Sequence, residues 1–412
     1  MKIAVIGAGI SGLGAARALS RHHAVTLFES AAQLGGHAHT VDLELAGRTF
    51  SVDTGFLVYN RATYPNLVRL FAELGIEAAP SEMSFSVSLE SPRLEWAGTS
   101  LASLFAQPRN LLRPGFARML RDVLRFNREA HSSEAATTLG AFLERGRYSA
   151  EFRDWYLLPM AAAIWSCPAR AMLDYPFASF ARFFRNHGLL QLSARPQWYT
   201  VPGGSRRYVQ AIARQLSDVR LATPVRTLER GAAAARVNGE RFDGVVLACH
   251  SDQALRLLGD RASAEERAVL GAIPYQRNRA VLHTDATLLP RRRRAWSAWN
   301  YSAGADGPDG RPVSVHYLIN KLQPLPVEQP VIVSLNPHRE PARGSIVAQF
   351  DYEHPVFGAG SQAAQSRLGR IQGWRRTWYC GAWTRYGFHE DGLASALAVA
   401  DAIGAQPLRE AA

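Results

Sequence analysis

The chain opens on a short apolar run, residues 2–6, broken by the glycine-rich stretch Gly7 to Gly12. Residues 11–19 follow with helical texture, and residues 25–28 form a second apolar run ending at Glu29. Short apolar runs bounded by glycine and joined by a helix predict one βαβ unit. From about Leu101 to Arg195 the pattern is mainly helical and rich in aromatics. Within it Phe116, Met119, Leu120, Val123 and Leu124 fall at i, i+3, i+4, i+7 and i+8, with Arg118, Arg121, Arg125 and Arg128 between and beyond them. That spacing predicts an amphipathic helix with a basic polar face. Strand texture returns over residues 221–258, with 224–226 and 243–248 as strands. Residues 281–350 alternate in the manner of an antiparallel sheet, with 313–317 as one strand. Residues 378–403 close the chain as strand, glycine turn and a helix over 394–403. No internal repeat is visible.

With 412 residues, 47% hydrophobic and 20% charged, the chain has ordinary globular composition and exceeds one simple core. Its net charge is +12, and Lys2 and Lys321 are its only lysines, so the excess is arginine. Such a balance favours an anionic partner: a cofactor phosphate, an acidic substrate or a membrane surface. Cys167, Cys249 and Cys380 lie too far apart for a disulfide framework or a metal-ligand spacing, so no metal is expected. A cytoplasmic setting is expected, because the first strand begins at Lys2 and leaves no room for a signal peptide. No run approaches the roughly 20 apolar residues of a membrane span. Peripheral contact with an anionic membrane remains open, through the basic helix. A second basic–aromatic patch, Arg291 to Arg294 followed by Trp296 and Trp299, reads as a headgroup contact or a solvated loop. No nucleic-acid motif is present, and the oligomeric state is left open.

The chemistry concentrates in the glycine segments. In Gly7-Ala8-Gly9-Ile10-Ser11-Gly12, Gly7 permits the tight turn, Gly9 lets backbone approach a pyrophosphate, and Gly12 lets the helix pack on the strand. The helix N-terminus supplies free amides to the phosphates. Glu29, 22 residues after Gly7, stands where a carboxylate accepts from a ribose. NAD and FAD share this unit. The Gly35-Gly36-His37 segment, suited to run beside a diphosphate, and Thr54-Gly55-Phe56, suited to backbone close to a flavin ring, favour FAD. The ending does too: after Gly381, Asp391 caps a helix whose first amides, near Gly392 and Leu393, face an electron-rich oxygen such as the flavin C2 carbonyl. No second glycine motif for NADPH is present.

Taken together, Gly7 to Gly12 with Glu29, Gly35-Gly36, Gly55 and Gly381 to Gly392 resemble the FAD-dependent amine oxidase and phytoene desaturase superfamily. More closely, the chain resembles the bacterial NAD/FAD-binding proteins of that superfamily. Phe183-Phe184-Arg185-Asn186-His187-Gly188, Arg195-Pro196-Gln197-Trp198, Pro202-Gly203-Gly204-Ser205 and Gly387-Phe388-His389-Glu390-Asp391-Gly392 carry that likeness. It implies an α/β fold: a discontinuous Rossmann-like FAD-binding domain (GR2-type) with an inserted substrate domain of antiparallel sheet plus helices. The expected FAD-binding domain comprises residues 1–80, 200–260 and 365–412, and the substrate domain 81–199 and 261–364. The resemblance places Gly7, Gly9, Ile10, Ser11 and Gly12 on the pyrophosphate and Glu29 on the adenosine ribose. It places Gly35, Gly36 and His37 along the diphosphate, and Thr54, Gly55 and Phe56 at the isoalloxazine. Val225 falls to the adenine, and Gly381, Gly392 and Leu393 to the flavin. Two positions depart from the wider superfamily: His37 replaces an arginine, and Ala382 an acid that contacts the ribityl chain.

For the reaction, His389 near Trp383, Tyr386 and Phe388 is a candidate to position substrate or relay a proton at neutral pH. Lys321 is the internal candidate for a lysine holding a water near the flavin. The aromatics Trp155, Tyr156, Trp165, Phe177, Phe180, Phe183, Phe184, Trp198 and Tyr199 suggest either plain core or the wall of an apolar pocket. The expectation is an FAD oxidoreductase removing hydride from an acyl or lipid-like substrate. A flavin amine oxidase, a double-bond isomerase of fatty acids and a non-catalytic flavoprotein stand as alternatives.

Overall fold

The computed structural model describes residues 1–132, 135–191, 195–304 and 313–404. A five-stranded sheet is built from β1 (Lys2–Ile6), β2 (Ala24–Phe28), β3 (Asp218–Arg220), β4 (Gly244–Leu247) and β5 (Thr377–Tyr379). Its order is β3-β2-β1-β4-β5, with every pairing parallel. Parallel strands need covering on both faces, and their apolar residues comply: Ile3, Val5, Leu27, Val245 and Val246 are all buried. Helix α1 (Ile10–Leu19) and helix α2 (His389–Gly404) pack side by side on one face. Gly14 lies opposite Leu393, where an added Cβ would stand 2.6 Å from Leu393 Cδ1.

A seven-stranded sheet forms the second layer system. Its order is Ile346–Pro355, Tyr275–His283, Ile332–Leu335, Ser314–Leu318, Trp299–Ala303, Phe85–Leu89, Leu94–Ala97. All pairings are antiparallel except that of Trp299–Ala303 with Phe85–Leu89. Helices between residues 101 and 186 pack over it. This is the α/β architecture expected: a parallel sheet with an inserted antiparallel sheet and helices.

Three local expectations change. Residues 224–226 form no strand; Arg226 N donates instead to Asn238 Oδ1 at 2.8 Å. The closing helix begins at His389, five residues ahead of the expected start at residue 394, and Asp391 lies in its first turn and accepts from Phe388 N at 3.0 Å. The basic amphipathic helix exists as Pro114–Ser132. Its apolar stripe, however, is core: Phe116, Met119 and Val123 are buried, Arg118 pairs with Glu151, and Arg125 stacks over Tyr148. Leu124, of the same stripe, stays exposed. No helix among the described residues is long and apolar enough to cross a membrane.

Candidate active site

A cavity of about 1030 Å³ runs from the C-terminal edge of the parallel sheet to residues of the antiparallel sheet, Phe85, Trp299, Tyr317, Leu335 and Tyr352 among them. It stands at the upper end of the roughly 300–1,000 Å³ usual for small-molecule sites. One end is made by the glycine segments. At the end of β1, Gly7 takes φ 101°, which L side chains rarely adopt, and donates its N–H to Phe28 O at 2.8 Å. Helix α1 then starts at Gly9 with no side-chain cap and no acid in its first turn. Its first amides therefore remain open to an anion.

The glycines divide into two kinds. A Cβ on Gly12 would sit 1.7 Å from Gly7 O, so packing alone demands glycine there. A Cβ on Gly9 would meet nothing within 4 Å, although Gly9 borders the cavity. No protein atom therefore demands glycine at this position, in contrast to Gly12. Gly36 lies against it, its virtual Cβ 3.3 Å from Gly9 Cα. Glu29 at the end of β2 accepts from Ala8 N at 2.8 Å and from Ala31 N at 2.9 Å, which holds two turns of the rim in place.

Gly7, Gly9, Ile10, Ser11, Glu29, Gly35, Gly36, His37, Thr54, Gly55, Phe56, Val225, Gly381 and His389 all line this one cavity. Gly12, Gly392 and Leu393 do not. They lie behind its wall, where α1 and α2 meet: a Cβ on Gly392 would approach Ser11 Oγ to 2.7 Å, and Leu393 is buried in the core. Because α2 begins at His389, the Gly392 amide is already committed to Phe388 O at 3.1 Å, so it is not a free donor.

His389 stacks on Phe56, and its Nε2 shares a hydrogen bond with the Tyr208 hydroxyl at 2.7 Å. Burial lowers its pKa to about 3. The ring is therefore neutral at neutral pH, with its Nε2 engaged by the Tyr208 hydroxyl. Lys321, expected beside the flavin, does not line this cavity; its Nζ is ion-paired with Glu82 at 3.0 and 2.9 Å.

His37 is also held neutral, its pKa pushed well below the usual value by burial first and then by His354. Its Nε2 is buried with no hydrogen-bond partner. A buried polar atom of this kind calls for a ligand or a water. Two residues that the sequence reading missed face it, Tyr352 and His354, with ring centroids each 5.0 Å away. Both belong to Ile346–Pro355 and stand two apart, so strand alternation was the available signal. Of the aromatic-rich stretch, Phe183 and Trp198 line the cavity, while Phe177, Phe180 and Phe184 are core.

Over residues 10–284 the chain matches the family described as flavin containing amine oxidoreductase, about two thirds of its length. The chain belongs to that family. AofH of Mycobacterium tuberculosis, described as a flavin-containing monoamine oxidase, is 30% identical over 258 residues, covering 58% of this chain and 54% of AofH. The chain thus spans about half the length of the curated relatives it matches. Among solved structures, cyclohexylamine oxidase from Brevibacterium oxydans IH-35A aligns at TM-score 0.70 and 16% identity, covering 98% of this chain and 99% of that one. A fatty acid isomerase of P. acnes, described as producing CLA, aligns at TM-score 0.65 and 14% identity, covering 98% and 97%. At such identities the likeness is one of fold. FAD, expected from the sequence, is the cofactor of this flavin-containing family. The residues fit it: an uncapped helix N-terminus, open space at Gly9, and an unpartnered His37 Nε2 on one cavity.

Proposed function

We propose that this protein is an FAD-dependent oxidoreductase that abstracts hydride from an apolar, acyl-type substrate in a desaturase- or oxidase-type reaction. When bound, FAD supplies a two-electron acceptor. The substrate class is carried by the wall beyond the glycine segments, where Met83, Phe85, Met160, Ile164, Phe183 and Leu335 line the cavity. Such a wall favours an apolar body over a hydrated one. Of the carboxylates in the described lining, Glu82 is charge-compensated by Lys321, while Glu29 accepts from backbone amides at the glycine end. His37, His354 and His389 offer polar atoms without charge, which orient a neutral group and leave proton removal to water.

A second reading, oxidation of an amine, is favoured by the family and by AofH. Anaerobic mixing of the FAD-loaded protein with fatty acids and with a panel of primary amines separates the two. Bleaching of the flavin absorbance by fatty acid, with a product richer by one double bond, is expected. Bleaching by amines alone, with aldehyde formed, overturns the acyl reading. A moved double bond with no net oxidation makes the protein an isomerase, and no response to either class leaves a non-catalytic flavoprotein.

A further inference from the structure

Residues 98–113 bury polar side chains and leave three leucines in water. Gln107 and Asn110, both polar, are 1% exposed, whereas Leu101, Leu111 and Leu112 are 75%, 65% and 86% exposed. The segment is not loose. Gln107 Oε1 accepts from Glu95 N at 2.9 Å, Asn110 Nδ2 donates to Glu95 O at 3.0 Å, and Ser103 Oγ donates to Ala97 O at 3.1 Å. These bonds clamp it along Leu94–Ala97, the edge strand of the antiparallel sheet. The leucines are thus held in water by a braced backbone, at a cost that burial elsewhere would recover.

A second segment is tied to the first through the same residue. Glu95 accepts from Arg291 N at 2.9 Å and from Arg292 Nη1 at 3.0 Å, and Ala295 packs with Ala97 and Ala106. The arginine run at 291–294 and the exposed leucines therefore share one face. Neither residues 96–121 nor residues 286–304 contain an aspartate or glutamate. Arg109, Arg113, Arg293 and Arg294 make no ion pair with any described carboxylate. Both segments lead to the cavity wall: Gly98 N donates to Phe85 O at 3.2 Å, and Trp299 N to Ser84 O at 2.9 Å.

We propose that this face docks on an anionic lipid bilayer, with Leu101, Leu111 and Leu112 entering the interface and the unpaired arginines meeting the headgroups. Leucines projecting among arginines match an apolar layer beneath a negative surface. A second copy of the chain is the poorer occupant, because an isologous contact sets the arginines of one face against those of the other. The helix at Pro114–Ser132, which the sequence suggested for this role, contributes little beyond Leu124, since the rest of its stripe is core.

Cosedimentation of the FAD-loaded chain tests this, with vesicles of phosphatidylcholine alone and with one-fifth phosphatidylglycerol. Binding to the mixed vesicles is expected to be at least about 10-fold tighter and to be lost near 1 M salt, where screening is complete within about 3 Å. Leu111→Ser/Leu112→Ser and Arg293→Ser/Arg294→Ser are each expected to weaken it about 10-fold, with flavin absorbance kept. Leu112→Gln alone replaces the leucine pair if that variant fails to hold flavin. Absence of binding, equal binding to both vesicles, or loss in only one variant overturns the proposal. So does a dimer, seen by sedimentation velocity, that the leucine variant dissociates.

Discussion

The Tyr208 hydroxyl lies 2.7 Å from His389 Nε2, joining helix Arg206–Ala213 to the first residue of α2 beneath the cavity. Both side chains are buried, and burial raises the tyrosine pKa while lowering that of the histidine, so the pair is neutral throughout the physiological range. Tyr208→Phe leaves one buried ring nitrogen without a partner. A loss of about 1–3 kcal/mol is expected, read as a lower urea midpoint. With both side chains neutral across that range, the pH profile of flavin reduction by substrate is expected to be the same in the variant and the parent.

Gly9→Ala and Gly12→Ala separate binding from folding. The Gly12 Cβ would overlap the Gly7 carbonyl, so that variant should lose more than about 3 kcal/mol of stability or fail to fold. The Gly9 Cβ meets no protein atom. The flavin-free Gly9→Ala protein should therefore melt within a degree or two of the parent, while its FAD Kd rises at least about 10-fold, or about 1.4 kcal/mol. Equal effects in the two variants would contradict the division of roles.

Arg230 and Glu266 form an ion pair whose side chains are 1% and 0% exposed, and the Tyr379 hydroxyl also bonds to Glu266. It joins β5 to the strand Leu228–Arg230 and the helix Ala264–Leu270. Glu266→Gln strands a buried guanidinium, and a loss of about 3–5 kcal/mol is expected. Replacement of both partners by apolar residues should cost less than the single change, which equilibrium unfolding of the two variants can decide.

Acid should destabilise the fold through its histidines. Burial lowers His187, His283 and His354 to about 4 and His316 and His389 to about 3. Below about 6.5 the unfolded chain takes protons that the folded chain refuses, so stability falls as pH falls from about 6.5 toward 4. Asp53 and Asp391, raised by burial to about 6, act in the opposite sense between about 4 and 6. Five groups outweigh two. Urea midpoints measured at a series of pH values should decline from about pH 7 to about pH 5; a rise would mean the carboxylates dominate.

Legibility in the sequence followed distance along the chain. The β1–α1–β2 unit was readable because its glycine spacing and Glu29 act within 30 residues of one another. The start of α2 was misread because Gly392 looks like a turn. Only the approach of Ser11, far away in sequence, shows why glycine sits inside a helix there. Likewise Pro202-Gly203-Gly204-Ser205 stood out without a reason. In the fold, Ser205 N donates to both Asp53 oxygens at 2.9 and 3.0 Å, and Gly204 leaves room for Thr40. The pairing of Lys321 with Glu82, which removes its candidacy, joins residues 239 apart and left no local trace.

The parallel sheet places β1 between β2 and β4, with Ile3 opposite both Val25 and Gly244, and β5 pairs only with β4, from Val245–Thr377 to Leu247–Tyr379. During synthesis the first βαβ unit therefore precedes both of its neighbours, β3 and β4, and waits with two bare edges, one on each strand. Gly381 and His389, which border the same cavity as Gly9, lie far beyond that unit in sequence, so the rim of the cavity is closed only once the segments after β5 have folded back onto it.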